Sequence, residues 1–427
     1  MIERKILRKI ESHLSQKEIT VIIGCRQAGK TTILKGLLEG LRKENKPSIY
    51  LNLDIDIDAQ KCDTQEKLVQ YINIIFGNKR GYLFIDEIQR IENAGQFLKG
   101  IYDRDLVHKI IVTGSGSLEL KEKIAESLAG RKRNFNVFTI SIDEFCKYKT
   151  QSNSIDIGEL LENDENQEEN LLNEYLLWGG YPRVITATSF EEKQHVLSEI
   201  FQSYVERDIE ILLKLEKRRE FVQLLQILSA NPGQIVQYQK LGSEIDLSAI
   251  TTKKYIWYAE KTFLISVVPP YFTNKSKEVT KAPMIYFNDA GMQSFLSGNL
   301  VYPVTGRELG FKFQQMAFTI LTHAIEGTAA KLYYYRNQNQ TEVDFIISLG
   351  NKIYPVEIKA IKYTNAKLEK AMYSFISQYN PELFLVINRK LDCEIPIGNT
   401  IVKFLPWYKA MGLKLDNLLN ARTKLPK

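Results

Sequence analysis

The sequence predicts a multidomain α/β protein, and three observations carry that prediction. Short β-rich runs without polar alternation, Ile19–Ile23, Ser48–Leu53, Tyr82–Ile85 and Lys109–Val112, alternate with helix-like stretches in the first third. Strands of that kind are buried on both faces, as in a parallel sheet with helices on both faces. A glycine-rich loop directly follows the first run. The last third returns to strands with intervening helices after a long helical middle.

Composition bounds the rest. The chain has 427 residues, 44% hydrophobic and 25% charged, which excludes a mainly disordered, collagenous or coiled-coil protein. That length suits roughly two to four domains. No apolar run reaches the ~18 residues of a membrane-spanning helix, so no membrane partner is expected. The first residues are charged throughout, unlike a signal peptide, and Ile2, Ile6, Ile10 and Leu14 recur at the spacing of an amphipathic helix. Cys25, Cys62, Cys146 and Cys393 form no CxxC pair, and the four histidines are scattered. A zinc site is not expected, and a reducing, cytoplasmic setting fits.

Residues 300–427 hold 17 Lys and Arg against 10 Asp and Glu, a surplus of +7 that leaves the first 299 residues at −1. The surplus suits either a polyanion partner or an ordinary solvated surface. The acidic stretch Ser152–Asn170 reads as a solvated helix surface or loop.

The strongest motif is Gly24-Cys25-Arg26-Gln27-Ala28-Gly29-Lys30-Thr31, which matches GxxxxGK[ST] between a strand and a helix that continues through Thr32. Glycines let successive backbone N–H groups curl around phosphates, and the helix N-terminus favours the anion. Lys30 would reach the β- and γ-phosphates, and Thr31 would ligate Mg²⁺. Gly81-Tyr82-Leu83-Phe84-Ile85-Asp86-Glu87 is a buried strand ending in paired acids. Asp86 would hold Mg²⁺ and Glu87 would deprotonate the attacking water. A third strand leads into Gly114-Ser115-Gly116-Ser117, where Ser115 or Thr113 would touch the γ-phosphate, unless this is a plain turn. Arg131 reads either as an arginine finger or as part of a solvated basic cluster.

With these motifs the sequence resembles AAA+-type P-loop ATPases of the bacterial and archaeal group fused to a C-terminal domain. Further matches are Leu128-Ala129-Gly130-Arg131, Trp178-Gly179-Gly180-Tyr181-Pro182, Ser203-Tyr204-Val205-Glu206-Arg207-Asp208 and Tyr286-Phe287-Asn288-Asp289. The resemblance implies an ATPase domain over residues 1–150, a helical lid over 151–230, a winged helix over 231–300 and a nuclease-like domain over 301–427. In related signal-transduction ATPases a Gly-x-Pro motif contacts adenine, which places Pro182 beside the base; a helix-ending turn is the alternative. In the winged helix, Lys253, Lys254, Ser276, Lys277 and Lys281 suit DNA, whereas Tyr255, Trp257, Tyr258 and Glu260 suit packing against the ATPase core.

In the last segment Asp344 opens one strand, and Tyr354-Pro355-Val356-Glu357-Ile358-Lys359 follows on the next. Side chains alternate along a strand, so Glu357 and Lys359 face one side and Val356 and Ile358 the core. Two carboxylates and a lysine can hold a second divalent metal and activate water for phosphodiester hydrolysis. The arrangement resembles the PD-(D/E)xK restriction-endonuclease-like fold, with Asp344 and Glu357 as ligands and Lys359 stabilising the transition state. One departure stands out: Gln314-Gln315 occupies the place where the group often has Glu-Asn. Two readings follow. One is an ATPase that couples nucleotide state to a nuclease-like domain acting on nucleic acid. The other is a nucleotide-sensing scaffold with an inactive nuclease-like domain that binds DNA or a protein.

Overall fold

The computed structural model describes residues 2–115, 128–151, 156–211, 217–272, 281–337 and 341–415. Ser117, Ser276 and Lys277, and the side chains of Ser115, Arg207 and Asp208, lie outside that set. The chain divides into two compact units. The first comprises Met1–Ile140, Tyr181–Arg218 and Ile256–Leu264; the second comprises Ser141–Gly180, Arg219–Tyr255 and Ile265–Lys427.

The first unit is built on a five-stranded sheet in the order β2-β3-β4-β1-β5. Its strands are β1 (Ile19–Gly24), β2 (Ser48–Asn52), β3 (Tyr82–Asp86), β4 (Lys109–Ser115) and β5 (Lys132–Val137). Every pairing is parallel, as the continuous apolar runs predict. The amphipathic helix read from the first residues forms over Lys5–His13 and buries Ile10 against the sheet core. Parallel register aligns the carboxyl ends of the strands: Gly24 lies opposite Ser115 and Val137, and Asn52 opposite Asp86. Ligands of open α/β sheets bind outside those ends.

The second unit holds a six-stranded mixed sheet, β12-β13-β11-β10-β9-β8. The strands are β8 (Lys331–Arg336), β9 (Glu342–Leu349), β10 (Lys352–Ile358), β11 (Leu383–Asn388), β12 (Cys393–Ile397) and β13 (Thr400–Pro406). β10, β11 and β13 pair in parallel, and antiparallel strands close both edges. Its helices include Ile157–Asn163, Glu165–Trp178, Ala290–Leu296 and Gly306–Ile325. A short antiparallel ribbon, β6 (Ile265–Val268) with β7 (Met284–Phe287), follows the helices Tyr238–Ser243 and Ala249–Lys261. Ser248 caps the latter, its hydroxyl accepting the Thr251 N–H at 3.1 Å.

Gly179, in the Trp178–Pro182 run, and Gly291, just after Asp289, each have a steric reason here. Gly179 has φ +68°, and a Cβ on it would lie 2.3 Å from a carboxylate oxygen of Asp289. A Cβ on Gly291 would lie 2.0 Å from the Trp178 carbonyl oxygen. The helix ending at Trp178 and the one starting at Ala290 thus meet backbone to backbone. Asp289 then accepts the N–H groups of Gly180 at 2.8 Å and Met292 at 2.9 Å.

Lys312, on the Gly306–Ile325 helix, is 1% exposed, and its ammonium donates to the Ser294 hydroxyl. Burial pushes its pKa down to about 8, with Glu308 pulling weakly the other way. Between about pH 8 and the ordinary lysine range the unfolded chain therefore binds more protons than the folded one, so stability rises with pH there. Lys312→Met is expected to raise the unfolding free energy at pH 7 by roughly 1–3 kcal/mol. That gain should shrink as the pH climbs from 8 to 10.5. Urea denaturation of both proteins across pH 7–10 measures it.

Candidate functional site

The loop between β1 and the Lys30–Lys43 helix has the shape that its glycines allow. A Cβ on Gly24 would lie 1.9 Å from the Val137 carbonyl oxygen, so only glycine lets β1 turn there beside β5. Gly29 has φ +92° and starts the helix, and Gln27 is also left-handed at φ 55°. Lys30 is buried, and its ammonium donates to the carbonyls of Gly24 at 3.1 Å and Cys25 at 2.7 Å. Its charge therefore sits inside the curl of the loop. Thr32, two residues on, is exposed.

Asp86, 2% exposed at the end of β3, is the hub of this site. One carboxylate oxygen accepts the hydroxyls of Thr31 at 2.9 Å and Tyr50 at 2.9 Å. The other accepts the Thr113 hydroxyl. Thr113 in turn accepts the Glu87 N–H at 3.3 Å. Glu87 is left-handed, φ 60°, so its side chain leaves the alternation of the strand. Burial, and then the charge of Asp86, push its carboxyl above the usual range, while the Gln89 side-chain amide donates to it and opposes that shift. Thr31, Asp86 and Glu87, which the sequence marks out, therefore converge. Tyr50 and Gln89 are additions. Tyr50 sits inside an ordinary apolar strand, with nothing in its neighbours to mark it. Gln89 closes the run Phe84-Ile85-Asp86-Glu87-Ile88-Gln89 that is part of the resemblance, but nothing in that run gives it a role.

The variable residues of the loop are held by separate segments of the same unit. The Cys25 thiol approaches the Phe263 carbonyl at 3.5 Å. Arg26 donates to the Ser203 hydroxyl at 3.0 Å, and Gln27 accepts from Arg183 at 3.2 Å. The Ala28 carbonyl accepts from Arg4 at 2.9 Å, and Arg4 also binds the Phe138 carbonyl at 2.8 Å. Pro182 lies beside the loop, with its ring 3.8 Å from where a Gly29 Cβ would stand. Ser115 ends β4 opposite Gly24. Arg131 forms an ion pair with Asp103 at 2.7 Å and is half-buried.

In the second unit Asp344, Glu357 and Lys359 also meet. Asp344 accepts the Gln314 amide on one oxygen at 2.6 Å and the Ile358 N–H on the other at 2.7 Å. Lys359 bridges Glu357 at 3.0 Å and Glu369 at 2.9 Å. The second Glu357 oxygen is buried without a hydrogen-bond partner. Burial raises the carboxyl pKa of both acids, and the Asp344 charge raises that of Glu357 further. Three of the four carboxylate oxygens of the pair are already occupied by protein donors. Among the described residues no group of three or more His, Cys, Asp or Glu is placed to hold a metal ion. One oxygen of the Asp344 and Glu357 pair, on Glu357, is left without a protein donor. Thr31 and Asp86 offer oxygen donors of the kind Mg²⁺ takes, and both Asp86 oxygens accept hydroxyls of this chain.

Part of the basic surplus of the last third has partners within its own unit. Glu168, on the Glu165–Trp178 helix, pairs with Arg389 at 2.8 Å, both nearly buried, and accepts the Trp407 indole N–H at 2.6 Å. Lys362 pairs with Glu165 and Glu169, each at 3.0 Å, and Lys409 pairs with Glu162 at 2.9 Å. The acidic stretch is a solvated helix surface, as expected, except at the buried Glu168, whose pair with Arg389 docks it against the C-terminal sheet. Lys253, on the Ala249–Lys261 helix, and Lys281 are exposed, while Tyr255 and Tyr258 are buried.

The buried Asp86 and its neighbour Glu87 beneath a phosphate-type loop, at the carboxyl ends of a parallel sheet, define an AAA-type ATPase-like fold in the first unit. A family model described as an AAA domain matches residues 16–146. Two models described as domains of unknown function match residues 169–300 (DUF8612) and 309–409 (DUF4143). An uncharacterized protein of Methanocaldococcus jannaschii is 26% identical over 379 residues, spanning 86% of this chain and 80% of its own. An uncharacterized protein of Mycobacterium tuberculosis is 24% identical over 368 residues, spanning 84% and 74%. Among solved structures, AMPPCP-bound DnaA from Aquifex aeolicus is 16% identical over 60% of this chain and 86% of its own, with a TM-score of 0.27. Overlap at that score carries no weight for function. No helix among the described residues is long and apolar enough to cross a membrane.

Glu168→Ala is expected to cost about 3–5 kcal/mol, because it leaves the Arg389 guanidinium buried without its closest carboxylate. Chemical denaturation followed by tryptophan fluorescence, with Trp407 in the same cluster, measures that loss.

Proposed function

We propose that this chain binds ATP with Mg²⁺ at the loop Gly24–Thr31 and hydrolyses it. The observation that carries the reading is the buried Asp86 carboxylate, shared by the hydroxyls of Thr31, Tyr50 and Thr113 directly beside Glu87. The backbone N–H groups of the loop and Lys30 bind the phosphates. Thr31 and Asp86 would hold Mg²⁺, which would supply charge neutralisation for the transferred phosphoryl group. Glu87 orients the attacking water and takes its proton, and burial and the Asp86 charge raise its carboxyl pKa, which strengthens it as a base. Ser115 senses the γ-phosphate, and Pro182 lies beside the adenine. Arg26 and Gln27 are bonded to Ser203 and Arg183, which supports transmission of nucleotide state from the loop to the helices that carry them.

ATP turnover is the direct test. Lys30→Ala is expected to abolish it. Glu87→Gln is expected to keep nucleotide affinity within about threefold while losing at least ~100-fold in turnover, the size of a general-base contribution. A malachite-green phosphate assay and a fluorescent-nucleotide titration separate the two. Wild-type turnover no greater than that of Lys30→Ala overturns the hydrolytic reading.

A second reading concerns the C-terminal sheet: a nuclease-like scaffold that cuts nothing and presents a surface to DNA or a protein. What favours it over a cleaving domain is Gln314, whose amide occupies Asp344 where a metal ligand would need a free oxygen. The intramolecular partners of Lys362, Arg389 and Lys409 also weaken the case for a polyanion there. In a cleaving domain Asp344 and Glu357 would be metal ligands and Lys359 the transition-state cation. Incubation of plasmid DNA with Mg²⁺ or Mn²⁺, with and without ATP, is expected to leave it intact. Cleavage that disappears in Lys359→Ala would return the site to the nuclease reading.

A further inference from the structure

The strand that delivers Asp86 and Glu87 does not end in a loose loop. It passes through the left-handed Glu87 into a single 3-10 turn, Ile88–Arg90. That turn is fixed at three points. The Arg90 N–H donates to the Glu87 carbonyl at 3.0 Å. Ile88 is fully buried in the core of the unit. The Arg90 guanidinium pairs with Asp54, just beyond β2, at 2.6 Å. Gln89 sits between these anchors, so its backbone position is set by residues on either side. From there its side-chain amide turns back two residues and donates to one oxygen of the Glu87 carboxylate.

We infer that Gln89 is a positioning residue for Glu87: its amide fixes the rotation of the carboxylate, so that the second oxygen faces the reacting water in one orientation. This deepens the ATPase reading and rests on it. The physical need is specific. Glu87 has three side-chain torsions, and its backbone is held by Thr113 and by the turn, which leaves the carboxylate itself to be fixed by something else. A base must lie within hydrogen-bond reach of its proton, and small misplacements of a reacting group cost rate steeply. An amide N–H supplies the fixing bond without a second charge beside Asp86, which a lysine or an acid there would introduce. Gln89 is half-buried, so its loss should not unfold the chain.

The test uses the full chain and four variants: Gln89→Met, Gln89→Ala, Glu87→Gln and the double variant Glu87→Gln/Gln89→Met. Methionine keeps the length and packing of glutamine but removes the amide. Turnover is expected to fall about tenfold in both Gln89 variants, the scale of a misplaced base. KM and fluorescent-nucleotide affinity should stay within about twofold of wild type. Adding Gln89→Met to Glu87→Gln should cost nothing further, because the two residues act as one unit. A wild-type kcat in Gln89→Met, with Ala alone impaired, would make Gln89 a packing residue and overturn the inference. A raised KM at unchanged kcat would assign it to nucleotide binding and overturn it as well. Should Glu87→Gln turn over like wild type, the base assignment itself fails and Gln89 falls with it. A dead Glu87→Gln beside an unimpaired Gln89→Met would sink the Gln89 inference alone and leave the ATPase reading standing.

Discussion

The carboxylate of Asp86 is the constraint on which the first unit depends. It is almost wholly out of solvent, and a buried charge is costly unless fully hydrogen-bonded. Three hydroxyls meet that demand, from Thr31, Tyr50 and Thr113, and each comes from a different element. Satisfying one acid therefore ties the first turn of the helix after the phosphate loop to the strands on both sides of β3. Thr113 extends the network to the backbone of Glu87. One desolvated carboxylate thereby links the loop helix, the flanking strands and Glu87.

The second unit is organised by an analogous buried acid with a different outcome. Glu168 spends its two oxygens on Arg389 and the Trp407 indole, and the surrounding Lys362 and Lys409 pair with other acids of the same stretch. Such pairs fix which surfaces meet more than they add net stability. Asp344 and Glu357 follow the same rule: nearly all of their oxygens are engaged by this chain's own donors.

Much of the fold was legible before any coordinates. Parallel strands covered on both faces must be continuously apolar, so Ile19–Ile23 and Tyr82–Ile85 announced themselves. The helix over the first residues followed from its four-residue spacing. The solvated helix surface read in the acidic stretch holds for all its acids except the buried Glu168; the partners Lys362 and Arg389 lie about two hundred residues away and no local pattern points to them.

What the sequence by itself determined is the local chemistry: a GxxxxGKT loop between strand and helix, and two acids at the end of a buried strand. Phosphate binding needs contiguous backbone N–H groups, so its signature is contiguous in sequence. What only the tertiary structure decided is who satisfies those groups. Tyr50 reaches Asp86 because β2 pairs with β3, and Gln314 reaches Asp344 from a helix thirty residues earlier. Side chains that complete a buried charge are selected by proximity in space, and strand pairing and helix packing, not sequence neighbours, bring them there.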